Sequence, residues 1–225
     1  MTNPSSVTEV IEREHDALAA ETRLAQCPPL VAVNNIEDVA KVPTILRWNH
    51  PANVTKLEGA KGDAFVVDCP SLKSTALWVG TSNDHYRDDY LCYLTTTWGL
   101  QISKVPAEYD VDHLYNRRRA RMYQLCFIRV ALVAGSANRS HGGAYEKDIT
   151  TNEAMRVRKD MKLMDEISSM KYFGFLSPLR DNPRESEIDA YAAFAATKLG
   201  LNAAEVKENA LYLRRKATTP WARKG

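Results

Sequence analysis

Residues 110–147 read DVDHLYNRRRARMYQLCFIRVALVAGSANRSHGGAYEK, and this stretch decides the fold and holds the candidate site. Alternating apolar and polar residues over 109–114 favour a short strand. Residues 116–125, rich in arginine, favour a helix, and the apolar run 126–133 favours a buried strand. The polar cluster that follows, around 138–141, is flanked by glycines and predicts a turn in which the backbone can approach a ligand.

The sequence on both sides of this stretch predicts further strands and helices. Residues 63–69 and 75–80 are two strand candidates separated by a short turn. Residues 6–25 predict a helix, since Ser6 and Glu9 form a capping box and Pro28 follows. Residues 84–98 predict another helix, with Asp84 as its cap and Gly99 as its stop.

The last third of the chain is predicted to be helical. Helices are expected over 152–170, 186–199 and 202–216, with breaks at Gly174 and Gly200. The fold class is therefore α+β: a small, mostly antiparallel sheet packed by helices, with a helical C-terminal third. We expect a single domain over 1–225, in which an α+β part (1–150) carries the candidate site and a helical part (151–225) follows.

Composition indicates a globular chain with no membrane association. Apolar residues make up 44% and charged residues 26% of the sequence. The longest apolar run is far shorter than the roughly 20 residues of a membrane span. The N-terminus lacks the pattern of a signal peptide, and the four cysteines form no Cys-x-x-Cys pair. We therefore expect a cytoplasmic protein with reduced thiols, for which specialised export is an open alternative.

Charge is unevenly distributed along a chain whose net charge is only +2. Seven bases and three acids give residues 110–147 a net charge of +4, and residues 198–225 carry +5, whereas residues 1–40 carry −5. Basic segments attract polyanions. The alternative is that the acidic start and the basic end face each other within the fold.

Two adjacent residues suggest acid–base chemistry. Asp112 and His113 close a predicted strand. A neutral imidazole is the usual general base near neutral pH, and a neighbouring carboxylate orients it or binds a divalent cation. The alternative is a half-buried histidine that only bonds to Asp112 or to backbone.

A second polar group follows the next predicted strand. Asn138, His141 and Glu146 are candidate metal ligands if they meet His113 in space. Asparagine and glutamate oxygens suit Mg²⁺, and a histidine widens the choice to Mn²⁺, Ni²⁺ or Zn²⁺. The alternative is that Asn138 and its neighbours cap the next helix and that Glu146 is a solvated acid of its first turn.

The order Asp112-His113, apolar strand, Asn138, then His141 or Glu146 resembles the ββα-metal (His-Me finger, HNH-like) nucleases. In that superfamily the first histidine activates water, and a metal on the second strand and following helix stabilises the leaving phosphate. The resemblance implies that His113 is the base and Asn138 a metal ligand or a positioning residue. It also implies that His141 or Glu146 completes the metal site, with Asp112 as a further ligand.

Basic residues around this motif suit a nucleic-acid backbone, since guanidinium groups bind phosphates in bidentate fashion. The candidate nucleic-acid contacts are Arg117, Arg118, Arg121, Arg139 and Lys147. We therefore expect a metal-dependent nuclease or phosphodiesterase, in the setting of a toxin, effector or mobile element with an inhibitory or delivery protein as partner.

Two other functions are compatible with the same sequence. One is a non-catalytic nucleic-acid-binding protein that uses the arginines of 117–121 and the basic C-terminus. The other is a helical adaptor that binds a protein through its acidic N-terminal helix.

Overall fold

The fold is described from a computed structural model, which covers residues 4–25, 28–40, 51–142, 160–178 and 185–218, with side chains up to 215. Glu146 and Lys147 lie outside these described residues. In the described part of the chain no helix is both long enough and apolar enough to cross a membrane.

In the described part of the chain, seven strands form one sheet. Their bounds are β1 Leu30–Val33, β2 Asn53–Lys56, β3 Ala64–Cys69, β4 Ser74–Gly80, β5 Tyr109–His113, β6 Phe127–Ala134 and β7 Met161–Leu163. Helices pack around this sheet. Their bounds are α1 Val7–Ala25, α2 Tyr86–Trp98, α3 Arg117–Met122, α4 Gly135–Gly142, α5 Glu166–Tyr172, α6 Glu185–Phe194 and α7 Ala203–Thr218, and a π-helical segment, Ala195–Leu199, continues α6.

Strand β6 is the centre of the sheet, since it pairs with β1, β4 and β5. All the pairings are antiparallel; Val130 of β6 lies opposite Leu77 of β4 and opposite His113 of β5. The apolar run of β6 explains its position, because a strand that is covered on both faces needs apolar side chains throughout. The prediction of an antiparallel sheet packed by helices is confirmed.

Arg129 is the one charged residue within the apolar run of β6, and it has an acidic partner. Arg129 of β6 is buried, and its Nη1 lies 3.0 Å from Oε2 of Glu21 on α1. The acidic N-terminal helix therefore meets β6 through this pair. Helix α1 also contributes apolar residues to three core clusters: Val10 to the first, Leu18 to the second and Ala19 to the third. Its apolar face is thus used inside the fold.

Most predicted elements lie within two residues of the observed ones. Helices end where glycines adopt a left-handed backbone, with φ of 73° at Gly99 and 69° at Gly200. One start differs, because Asp84 does not cap α2: the helix begins after His85, and Asp84 bonds to Arg117 instead.

The prediction of one helix over 152–170 is wrong for 161–163 and holds for 166–170, while residues 152–159 lie outside the described part of the chain. Residues Met161–Leu163 form β7, which pairs with β1, and α5 begins only after Asp165, whose side chain accepts a hydrogen bond from the backbone N–H of Ser168. The pairing of β7 with β1 supersedes the local helical preference of this segment. It also ties the C-terminal third into the sheet.

Candidate active site

The core of the candidate site is a strand pair followed directly by a helix. Strand β5 pairs antiparallel with β6, and β6 runs into α4 without an intervening loop. Asn138 and His141 therefore lie in a helix, which corrects the prediction of a glycine-flanked turn. The helix starts at Gly135, whose N–H donates to the carbonyl of Glu108 at 2.8 Å and so anchors α4 beside the start of β5.

Strand β5 carries its side chains on two faces, as the twofold period of a strand requires. Val111 packs in the cluster that includes Tyr86 of α2. His113, two positions on, contacts the same tyrosine, with ring centroids 4.3 Å apart. Asp110 and Asp112 lie on the other face, towards α4 and α5.

His113 is buried but lines a small cavity. Its residue exposure is 8%, and its Nε2 finds no hydrogen-bond partner among the described residues. His141, Lys171 and Arg119 line the same cavity, whose free volume is about 10 Å³, which is near the minimum that one water needs. The structure thus brings His113 and His141 together, as the sequence predicted.

Both histidines of this cavity are neutral at neutral pH. Burial lowers the pKa of His113 to about 4, and the cations Arg117, Lys171 and Arg87 lower it further, against the opposing effect of Asp112. Burial also lowers the pKa of His141 to about 4. A neutral imidazole is the form that can accept a proton.

Asp112 is held by a lysine from another part of the chain. The Nζ of Lys171, on α5, lies 2.5 Å from Oδ2 of Asp112; the lysine side chain is 4% exposed and the aspartate 20%. A cation at Asp112 therefore has to share that carboxylate with the ammonium group. Lys171 also faces the cavity of His113, and nothing in the local sequence pattern indicated it.

Asn138 does not line this cavity. Its Nδ2 donates to Oδ2 of Asp110 at 3.1 Å, and Nη1 of Arg139 lies 4.0 Å from the same oxygen. An amide and a carboxylate thus meet where α4 crosses β5. Asp110 was not among the predicted site residues, although the alternation of β5 places it on the same face as Asp112.

His141 is anchored through its ring. The Nε2–H donates to the carbonyl oxygen of Phe175 at 3.1 Å, and the residue is 1% exposed. Only the other ring nitrogen is left for a metal. Among the described residues no three His, Cys, Asp or Glu side chains converge into a metal site.

Two of the predicted nucleic-acid contacts, Arg117 and Arg121, bond to the loop before α2, although Arg121 is also exposed. Arg117 lies 2.7 Å from Oδ1 of Asp84, and Arg121 donates from Nε and Nη2 to the carbonyl of Thr81. These two arginines fix α3 to the loop before α2. Arg118 and Arg139 are exposed and can reach a polyanion in solution.

The loop that receives these arginines is itself held in place. Asn83 donates from Nδ2 to Asp89 of α2 at 2.7 Å, and Asp89 also accepts from the N–H of Lys61. Residue 62 has to be glycine for this packing, since a Cβ at Gly62 would lie 2.5 Å from the side chain of Asn83. The loop beside His113 is therefore a fixed part of the site.

Comparison of the chain with family models, with curated proteins and with solved structures gave no match.

The buried histidines predict a loss of stability in acid. His15 of α1, like His113 and His141, has its pKa lowered by burial to about 4. The unfolded chain binds protons on these groups near pH 6.5, so their stabilising effect is complete above that pH and is lost as the pH falls towards 4. We expect each to lower the free energy of unfolding by about 2 kcal/mol between pH 7 and pH 5.

Glu14 has the opposite effect on stability as the pH falls, and a variant of it provides the control for this prediction. Burial raises its pKa to about 7, against Arg129 and the hydrogen bonds from Tyr90 and Tyr93. Its contribution is complete below pH 4.5 and is lost as the pH rises through 7. In urea unfolding, Glu14→Gln should therefore lose more stability between pH 7 and pH 5 than the parent. A parent whose stability is unchanged between these pH values would contradict the assignment of neutral buried histidines.

Proposed function

We propose that this chain is a metal-dependent nuclease that hydrolyses phosphodiester bonds of nucleic acid, with His113 as general base. One observation carries the proposal: β5 pairs antiparallel with β6, which continues into α4, and His113 of β5 and His141 of α4 line one small cavity. This strand–strand–helix order is the one that the resemblance to ββα-metal nucleases implies.

The protonation state of His113 permits the role of base, and the cost is a weak base, because a pKa well below neutral lowers the driving force for taking a proton from water. Its pKa of about 4 leaves the ring neutral at pH 7, and its unpartnered Nε2 is able to accept a proton from a water. The cations that surround it, Arg87, Arg117 and Lys171, favour an anionic substrate. Proton transfer from water to His113 would generate the hydroxide that attacks phosphorus.

The donor set at β5 and α4 fits a hard divalent cation better than zinc. The ligands would be oxygens of Asp110, Asp112 and Asn138, of the kind that Mg²⁺ takes together with water. To bind it, the Asn138 amide, whose Nδ2 donates to Asp110, would have to turn its oxygen inward, and Asp112 would have to share its carboxylate with Lys171. When bound, such an ion supplies Lewis-acid stabilisation of the charge on the phosphate. Arg118 and Arg139, both exposed, would contact neighbouring phosphates.

A non-catalytic nucleic-acid-binding protein is the second candidate. The observation that favours it is that a substrate has little access to His113. The residue is 8% exposed, and its cavity has room for about one water. In this case the exposed arginines bind phosphates and the histidine only packs.

The experiment is a cleavage assay with the purified chain. Supercoiled plasmid, single-stranded DNA and RNA are incubated with Mg²⁺ or Mn²⁺, and parallel samples contain EDTA. Cleavage that EDTA abolishes supports the nuclease. Binding without cleavage supports the second candidate. A protein that neither binds nor cleaves at low salt, where phosphate contacts are strongest, contradicts both and favours the protein-binding alternative.

A further inference from the structure

A stack of three side chains connects His113 to the surface. The ring of Tyr86 lies against the His113 ring, with centroids 4.3 Å apart. The guanidinium carbon of Arg87 lies 4.5 Å from the centroid of the same Tyr86 ring. Tyr86 and His113 are buried, whereas Arg87 is exposed. The first turn of α2 thus places one positive charge at the outer end of this stack.

Among the described residues, Arg87 differs from Arg117 and Arg129 in having no carboxylate partner. Arg117 bonds to Asp84, and Arg129 pairs with Glu21. Within the part of the chain that the structure describes, Arg87 forms no ion pair, and its recorded contact is the face of Tyr86. A guanidinium on an aromatic face is held in orientation while its edge N–H donors remain directed outwards.

The charge of Arg87 acts on the site. It is one of the cations that lower the pKa of His113, and it also lowers the pKa of Tyr86 against the dominant effect of burial. Arg117 acts on the same two groups. Because Arg87 contacts Tyr86 and Tyr86 contacts His113, an anion bound by this guanidinium would lie one ring away from the imidazole.

We propose that Arg87 is a substrate-binding residue, whose guanidinium group on Tyr86 binds a backbone phosphate of the nucleic acid and presents that strand to His113. This inference rests on the proposed function, because it assigns a residue of α2 to the same site. The substrate contact would then come from α2, in addition to β5, β6 and α4.

The test measures binding separately from cleavage. A fluorescently labelled single-stranded oligonucleotide is titrated in EDTA by anisotropy at 50–200 mM salt. We expect Arg87→Ala to raise Kd about 10-fold and to lower the slope of log Kd against log salt by about 1. Arg87→Lys keeps the charge but loses the flat stack and the paired donors, so its Kd should lie between those of the parent and the alanine variant.

The matched control removes one positive charge from α7, a helix that carries none of the candidate site residues. Lys207 of α7 pairs with Asp189 of α6 at 2.6 Å, and Lys207→Ala should leave Kd and the salt slope within twofold of the parent. Equal values for the Arg87 and Lys207 variants would overturn the proposal, as would a parent that does not bind the oligonucleotide.

The outcomes separate this inference from the nuclease itself. If the Arg87 variant binds weakly and no variant cleaves, the phosphate contact stands and the nuclease fails. If the parent cleaves and Arg87→Ala leaves both binding and KM unchanged, the nuclease stands and the phosphate contact fails.

Discussion

His113→Ala should lower the rate of nucleic-acid cleavage by at least about 100-fold, since a positioned general base contributes roughly 10²–10⁴-fold. Binding of the oligonucleotide in EDTA should remain close to that of the parent, because His113 is buried and the exposed arginines are intact. The measurement is the initial rate of plasmid or RNA cleavage at saturating Mg²⁺, together with anisotropy for binding.

Two controls separate loss of the base from loss of the fold. His85 is a mostly exposed histidine just before α2, with a side-chain exposure of 59%, and His85→Ala should cleave like the parent. His113→Gln fills the site without supplying a base and should be as inactive as the alanine variant. Added imidazole should restore part of the rate to His113→Ala, where it has room to bind, and none to His113→Gln. Cleavage by His113→Ala at the parental rate would remove His113 from the mechanism.

The parts of the fold that could be predicted from sequence are those specified by local patterns. The apolar run of β6 is long enough to require a buried strand, and the glycines at 99 and 200 adopt the left-handed backbone that ends their helices. The two polar groups of the site also follow local rules. His113 ends one strand, and His141 lies just after the strand paired with it, so their meeting at one cavity follows once β5 and β6 are recognised as partners.

The features that could not be predicted from sequence depend on contacts between residues that are distant along the chain. Strand β7 has only three residues, and its conformation is set by pairing with β1. Lys171 belongs to a helix whose docking depends on that pairing, so its contact with Asp112 could not be read from spacing. The same holds for Arg87: its neighbours in sequence predict a helical first turn, and only the packing of α2 on β5 brings that turn to His113.

Lys171→Met should destabilise the folded protein by about 3 kcal/mol, at the lower end of the 3–5 kcal/mol that is lost when one partner of a buried ion pair is removed. The remaining Asp112 is 20% exposed, and its carboxylate would lose the ammonium group that lies 2.5 Å away. Methionine keeps much of the length of the lysine stem, so the loss reports the charge more than the packing. The measurement is the free energy of unfolding in urea at pH 7.

The control is a surface pair of the same kind. Lys61 and Asp88 lie 2.8 Å apart, with side-chain exposures of 61% and 49%, and Lys61→Met should leave the unfolding midpoint unchanged within error, because water already solvates both charges. The double variant Asp112→Asn with Lys171→Met removes both members of the buried pair and should lose less stability than the sum of the two single changes. If Lys171→Met matches the Lys61 control, then Lys171 does not hold Asp112, and Asp112 is free to serve a metal alone.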